Sequence, residues 1–501
     1  MGIFGKIRWE IIIFSFLIFF FLFTRLYNIL LLPIFTDESI YIYWAKTIAT
    51  THSHWLISLS DGKPPLLIWM IAIFLKILPS NLYLLAGRLP SVISGLLTLI
   101  AIFKLTNLLF NNKKASYIAM FLYIVMPFSL FYDRMALFDS LLCAMLIWSV
   151  YFSVKTARTF AYKDAIVWGV YLGLAFLAKP PAGLFLIFTP LCFFLFANKE
   201  KIIKNKKRLV TLLLLPTGIS LTMDNLQRLS RAYTLMQIKN QQFQYAIPEV
   251  LANPLLHIPG NINGLFGWLI SYMTTPFFLI CLISAVIIVF FKRKEGILLL
   301  SLWFFSIMVF AFIGRQLFPR YILFILPYPI IPPAYLVSLL VRRSMIIVAL
   351  INVMAIIILF PALTFDLFIL TNPPKAAFPE TDYNQYIGDH PSGYGLTQIF
   401  SFLHKQAAIH KITVVTQGTF GLYPYAFNLE FWDNKNVSII GDWPLLNLND
   451  KIIAAKKVGI VYLVFKEPTG VSPGMPLETI LKAQKPSGKY PIFLTELVRI
   501  P

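Results

Sequence analysis

Apolar runs long enough to cross a membrane recur along this chain, and no water-soluble core has room for so many. Delimited by charge, Pro or Asn, they fall near 11–32, 87–110, 116–132, 136–155, 164–179, 182–198, 209–223, 264–291, 297–313, 321–340 and 345–361. A spanning helix needs ~20 mostly apolar residues, so these eleven runs predict an α-helical polytopic membrane protein. Composition agrees: 58% of the residues are apolar and 13% charged, against roughly 25% charged in a typical soluble domain. The run 65–79 is short and opens on a Pro pair. It reads as a juxtamembrane helix in the first outer loop.

The net charge of +21 would suit nucleic acid, yet the cations sit in short clusters between apolar runs, where they set orientation. Nucleic acid is therefore excluded as a partner. Lys6 and Arg8 precede a run too long for a signal-peptide core, which predicts an uncleaved first span with a cytoplasmic N-terminus. Lys113/Lys114, Lys155/Arg158/Lys163, Lys199 to Arg208, Lys292/Arg293/Lys294 and Arg342/Arg343 then all face the cytoplasm. Counting 65–79 as a span would invert every later loop.

These readings give a membrane domain over 1–361, a Pro-rich linker over 362–380 and an extracytoplasmic α/β domain over 381–501. In the last, Ile412 to Thr416, Val458 to Phe465 and Tyr490 to Val498 read as strands, and 397–409 and 450–457 as helices. Cys143, Cys192 and Cys281 lie in apolar runs and imply no disulfide framework. The His and Cys residues, including His52 and His54, show no metal-ligand spacing.

With this topology, polar residues gather at the outer rim: Asp37, Glu38, Lys63, Arg88, Asp133, Arg134, Asp139, Lys179, Arg315 and Arg320. Each alone has an ordinary explanation, as a helix cap, a snorkelling cation or a structural pair. Arg25 lies inside the first span, and Asp139 falls ~6 Å into the fourth. A charge at the centre of a span costs ~2.5–3.5 kcal/mol, so such groups face a partner or a wet cavity. A carboxylate to take a proton, beside cations for an anion, is the inventory of a transferase acting on a phosphorylated donor.

The motifs Phe35-Thr36-Asp37-Glu38-Ser39-Ile40-Tyr41, Asp61-Gly62-Lys63-Pro64-Pro65-Leu66 and Gly87-Arg88-Leu89-Pro90 resemble those of the GT-C membrane glycosyltransferases. The resemblance is narrower to the branch of bacterial protein O-mannosyltransferases and aminoarabinose transferases. Asp133 to Asp139, Gly173 to Pro181 and Arg320-Tyr321 extend it over residues 1 to about 340. The resemblance implies transfer of a sugar, with inversion, from a polyprenyl-phosphate donor to a lipid, glycan or protein acceptor on the outer face of the plasma membrane. Carried over, Asp37 is the general base, supported by Glu38. Lys63 takes the donor phosphate, with Arg88, Lys179 and Arg320 as secondary ligands, and Asp139 orients the acceptor or the cations. No cofactor is required; a divalent cation is optional, its only outer-loop ligands being Asp37, Glu38 and Asp139. Ser392-Gly393-Tyr394-Gly395 resembles the tails of bacterial members and carries no evident chemistry. The long loop 224–263, with Asp224, Arg228, Arg231, Gln241 and Gln242, is expected to border a substrate entrance.

Two other classes compete. A transporter or flippase for a lipid-linked sugar would place its charges near mid-bilayer between repeats, and no repeat is visible. A plain anchor for the tail domain would need one span.

Overall fold

The structure is a computed structural model that describes residues 3–340, 345–445, 447–466 and 475–499, without the side chains of residues 3–8. Arg342 and Arg343, and the side chains of Lys6 and Arg8, lie outside the described residues. Among those described, six helices are long and apolar enough to cross a membrane: Trp9–Leu26, Ser80–Phe110, Phe138–Thr159, Lys206–Leu229, Arg293–Ile313 and Met345–Thr371. The chain is thus a multi-pass membrane protein of mainly helical architecture with a small C-terminal sheet, as the apolar runs predict. Met345–Thr371 leaves Ile346, Leu350, Val353, Ile357 and Phe360 exposed, an apolar surface suited to lipid and not to water.

The expected runs fall mainly on helix, but 11–32 leaves helix after Leu26 and three are broken, the first being 116–132, where Lys113–Ile124 gives way to Pro127–Tyr132. The run 264–291 is two helices, Pro254–Met273 and Thr275–Phe291, bent by 108° at Thr274, and Pro319–Ile325 meets Pro327–Leu340 at 46°. All three breaks carry a Pro at the start of the second helix, where the missing N–H does no harm. Leu66–Ile77 is a 12-residue helix, ~18 Å long at 1.5 Å per residue and too short to span. The last apolar helix does not stop at Pro361 but continues to Thr371.

The chain divides into two compact units: 1–27, 55–67 and 90–371 form one, and 28–54, 68–89 and 372–501 the other. In the first, Phe138–Thr159 is the central element, with 78% of its most apolar stretch buried. It packs against Tyr162–Ala178 and Phe185–Phe196.

The second unit holds a five-stranded sheet of β1 (Ile412–Gln417), β2 (Val437–Asp442), β3 (Ile460–Phe465), β4 (Leu477–Ala483) and β5 (Ile492–Leu497), in the order β2-β1-β3-β5-β4. β1 runs parallel to β2 and β3, while β5 runs antiparallel to β3 and β4. β1, β3 and β5 were expected; β2 and β4 were not, because these edge strands are partly exposed and interrupt their apolar residues with Ser, Glu and Lys. Val415, Ile452, Val461, Leu463, Phe465 and Leu497 form the core on one face.

The helix Thr36–Thr51 belongs to this same unit and packs on Leu422–Glu430. Tyr43 stacks on Tyr425 at 4.2 Å, Lys46 donates to the Asn428 carbonyl at 2.8 Å, and its ammonium lies 4.4 Å from the Trp432 ring. Burial pulls Lys46 down to about 8, and likewise Lys485. Between about 8 and the ordinary lysine value of 10.5, the unfolded chain binds protons that the folded unit has released. Unfolding free energy therefore rises with pH across that window. Comparing thermal midpoints from about pH 8 to about pH 10, Lys485→Met should show a shallower rise than wild type; identical slopes would remove Lys485 from the account.

Candidate functional site

In the second unit, the functional side chains sit at the N-terminus of Thr36–Thr51. Asp37 and Glu38 occupy the first turn, where the exposed N–H ends of a helix favour negative charge. Asp37 is half-buried. Glu38 is fully buried and turned back on its own chain, accepting from the Phe35 N–H at 3.0 Å. It also takes a two-pronged grip from Arg88, Nε to Oε1 and Nη2 to Oε2, each 2.8 Å. The remaining guanidinium hydrogens go to the carbonyls of Ile29, Leu32 and Pro33. Arg88, wholly buried, thus spends its five donors on tying 29–38 into one rigid loop. A phosphate could reach it only by displacing these bonds.

In the first unit, Asp139 and Lys179 form an ion pair whose carboxylate is almost fully buried. Asp139 stands in the first turn of Phe138–Thr159, and Lys179 ends the helix Tyr162–Ala178. The Lys179 ammonium lies 3.9 Å from the Tyr321 ring centre. Lys63 and Arg320 are near enough for their charges to repel that of Lys179. Arg320 itself is buried, over Phe318 at 4.9 Å and Tyr321 at 5.7 Å. Four segments of chain therefore bring three cations and one carboxylate into one neighbourhood. Cations gathered in this way attract an anion.

Lys63 sits over Phe243 at 5.1 Å, on a turn braced by the pair Lys239–Asp61 at 2.9 Å. Beside it, a Cβ on Gly62 would run into Lys239, and Gly62 has φ +76°, a backbone that favours glycine. The expected functional loop 224–263 thus supplies the helix Tyr233–Phe243 as the wall behind Lys63. Phe243 and Tyr321 escaped sequence reasoning; the dipeptide Arg320-Tyr321 was the one hint, since an aromatic face partners a cation.

Asp133 and Arg134, expected at the outer rim, prove to be internal ties. Asp133 is fully buried, 3.5 Å from Arg25 Nε and accepting from Tyr123 and Ser140 hydroxyls. Arg25 donates to the Ile124 carbonyl at 2.6 Å and to Ser129 Oγ at 3.1 Å. Arg134 caps the carbonyls of Thr24, Arg25 and Tyr27, the end of the first helix. Arg25 faces partners, one of the two outcomes expected for a buried charge. Arg315 lies 5.5 Å from the Tyr245 ring. Among the described residues, no three His, Cys, Asp or Glu side chains are grouped to hold a metal ion.

Comparison with known proteins connects this architecture to enzymes. The sequence profile of the dolichyl-phosphate-mannose-protein mannosyltransferase family matches residues 62–222, about a third of the chain. No curated protein matches. Among solved structures, apo ArnT from Cupriavidus metallidurans has a TM-score of 0.59 at 12% identity, covering 99% of this chain and 98% of that one. ArnT bound to undecaprenyl phosphate scores 0.57 at 13% identity, with 98% of each chain covered. The oligosaccharyltransferase AglB from Archaeoglobus fulgidus, in complex with an inhibitory peptide and a dolichol-phosphate, scores 0.55 at 12% identity, covering 92% of this chain and 70% of that one. The chain thus shares its fold with ArnT and AglB, and over residues 62–222 it resembles the mannosyltransferase family.

Proposed function

We propose that the protein transfers a sugar from a polyprenyl-phosphate donor to an acceptor hydroxyl on the extracytoplasmic face of the plasma membrane. The observation that carries this reading is the gathering of Lys63, Lys179 and Arg320 in the neighbourhood of the Asp139 carboxylate. Support comes from two structures of the same fold that hold polyprenyl phosphates, undecaprenyl phosphate in one and dolichol-phosphate in the other.

In this reading Asp37 accepts the proton of the acceptor hydroxyl. The acceptor oxygen forms a bond to the anomeric carbon as the bond from that carbon to the phosphate oxygen breaks. The electron pair leaves with polyprenyl phosphate, and the proton stays on Asp37. Because phosphate is already a stable anion, no general acid is needed, and one displacement inverts the anomeric carbon. Lys63 binds the donor phosphate, with Lys179 and Arg320 stabilising the charge that grows on it. Asp139 holds Lys179 in place. Glu38 and Arg88 act one step back, as the frame of the Asp37 loop. The mechanism routes no step through a metal ion.

Reconstituted in liposomes with a panel of undecaprenyl-phosphate-linked hexoses and pentoses and an envelope extract, the protein should release undecaprenyl phosphate from one of them. Passage of the intact lipid-linked sugar across the bilayer, with no release, would make the protein a flippase. Lys63→Ala should raise the donor KM and lower the rate, by about tenfold for each ~1.4 kcal/mol of lost interaction. A donor dependence unchanged from wild type would remove Lys63 from the phosphate.

A further inference from the structure

The tail segment Ser392-Gly393-Tyr394-Gly395 carries no evident chemistry, yet the structure places it against the chain that leads into Asp37. The Pro391 carbonyl accepts both the backbone N–H of Thr36 at 3.1 Å and its hydroxyl at 2.9 Å. Thr36 is the first residue of its helix, and the N–H groups of a first turn have no partner within the helix. A residue 355 positions away in sequence supplies the missing acceptor. Gly393 lies so close to Ile34 that a Cβ would run into the Ile34 carbonyl oxygen. Phe35 packs on Tyr386 at 4.5 Å.

The turn is itself fixed from the sheet side. Lys485, only 4% exposed, follows β4 and donates to the Asp389 carbonyl at 2.6 Å and the Ser392 carbonyl at 2.9 Å. Buried Ser392 donates to the Tyr386 carbonyl and accepts from the Tyr394 N–H. Burying an ammonium is costly unless it is hydrogen-bonded, and the two carbonyl bonds that offset this cost tie Lys485 and the turn to each other.

We infer that the tail domain is a positioning device for the base: Lys485 fixes the 389–392 turn, and Pro391 and Gly393 fix the entry to the Asp37 helix. This rests on Asp37 being the general base. A misplacement of ~1 Å costs a reaction about 10²-fold, so a loosened strap should act on turnover and leave donor affinity alone.

The test uses the full-length protein. Gly393→Ala and Lys485→Met should lower kcat about 10- to 100-fold with donor KM unchanged. Lys485→Arg, which still donates two bonds, should restore most of the rate. In an Asp37→Asn background, Gly393→Ala should cause no further loss. If Asp37→Asn kills transfer but Gly393→Ala costs its full factor on top, the strap does not act through Asp37. A wild-type rate for Asp37→Asn would instead overturn the base assignment itself. Hydrogen exchange reads the strap without activity. The 33–40 peptide should exchange faster in Lys485→Met and in Thr36→Val, while β1 and β3 stay protected; unchanged exchange in both variants would overturn the inference.

Discussion

Asp37→Asn is expected to lower sugar transfer about 10²–10⁴-fold, the range over which a positioned general base acts, while the protein folds and binds donor as before. The substitution keeps the size and shape of the side chain but removes its charge and its capacity to take a proton. It also leaves intact the Glu38–Arg88 pair that shapes the loop. Transfer assayed at saturating donor, together with the donor Kd of the variant, separates loss of chemistry from loss of binding. Transfer at the wild-type rate would disqualify Asp37.

The second large effect is on stability. Arg88→Ala leaves the fully buried carboxylate of Glu38 without its cation and three backbone carbonyls without their donor. Removing one partner from a buried ion pair costs about 3–5 kcal/mol, and Arg88→Lys should recover only part of it, because an ammonium cannot replace the planar two-pronged grip. Unfolding of the detergent-solubilised protein measures this directly. Were Arg88 chiefly a phosphate ligand, the same variant would unfold normally and show its defect in donor KM.

That distinction marks the limit of what a single sequence reveals about such a rim. The helical membrane architecture was legible because apolar runs need no partner to be recognised. The central strand Ile460–Phe465 was legible for the same reason, five of its six residues being buried. Asp37, Lys63, Asp139 and Lys179 stood out as charges in expensive places. What each charge was tied to did not, since the partners lie far away in sequence. Arg88 reaches back to Glu38, Lys179 to Asp139, and Arg134 to the end of the first helix. A cation spent on carbonyls and a cation aimed at a substrate look alike in sequence.

The division of the chain was hidden for a related reason. Composition changes once, near Pro361, and suggests a single tail. Contacts instead join residues 28–54 and 68–89 to that tail. Nothing in residues 28–54 announces this, because their partners lie far away in sequence: the Pro391 and Asn428 carbonyls, a group that every residue carries, and the rings of Tyr386 and Tyr425. The 108° bend at Thr274 was hidden by uniform apolarity on both sides.

The claim on which the account depends is a single displacement at the anomeric carbon, driven by one base and a cationic seat for polyprenyl phosphate. The anomeric configuration of the transferred sugar, determined by nuclear magnetic resonance on product and donor, tests it most directly. The account predicts the opposite configuration in the product. Retention would require a covalent glycosyl-enzyme intermediate on a carboxylate, and would contradict it.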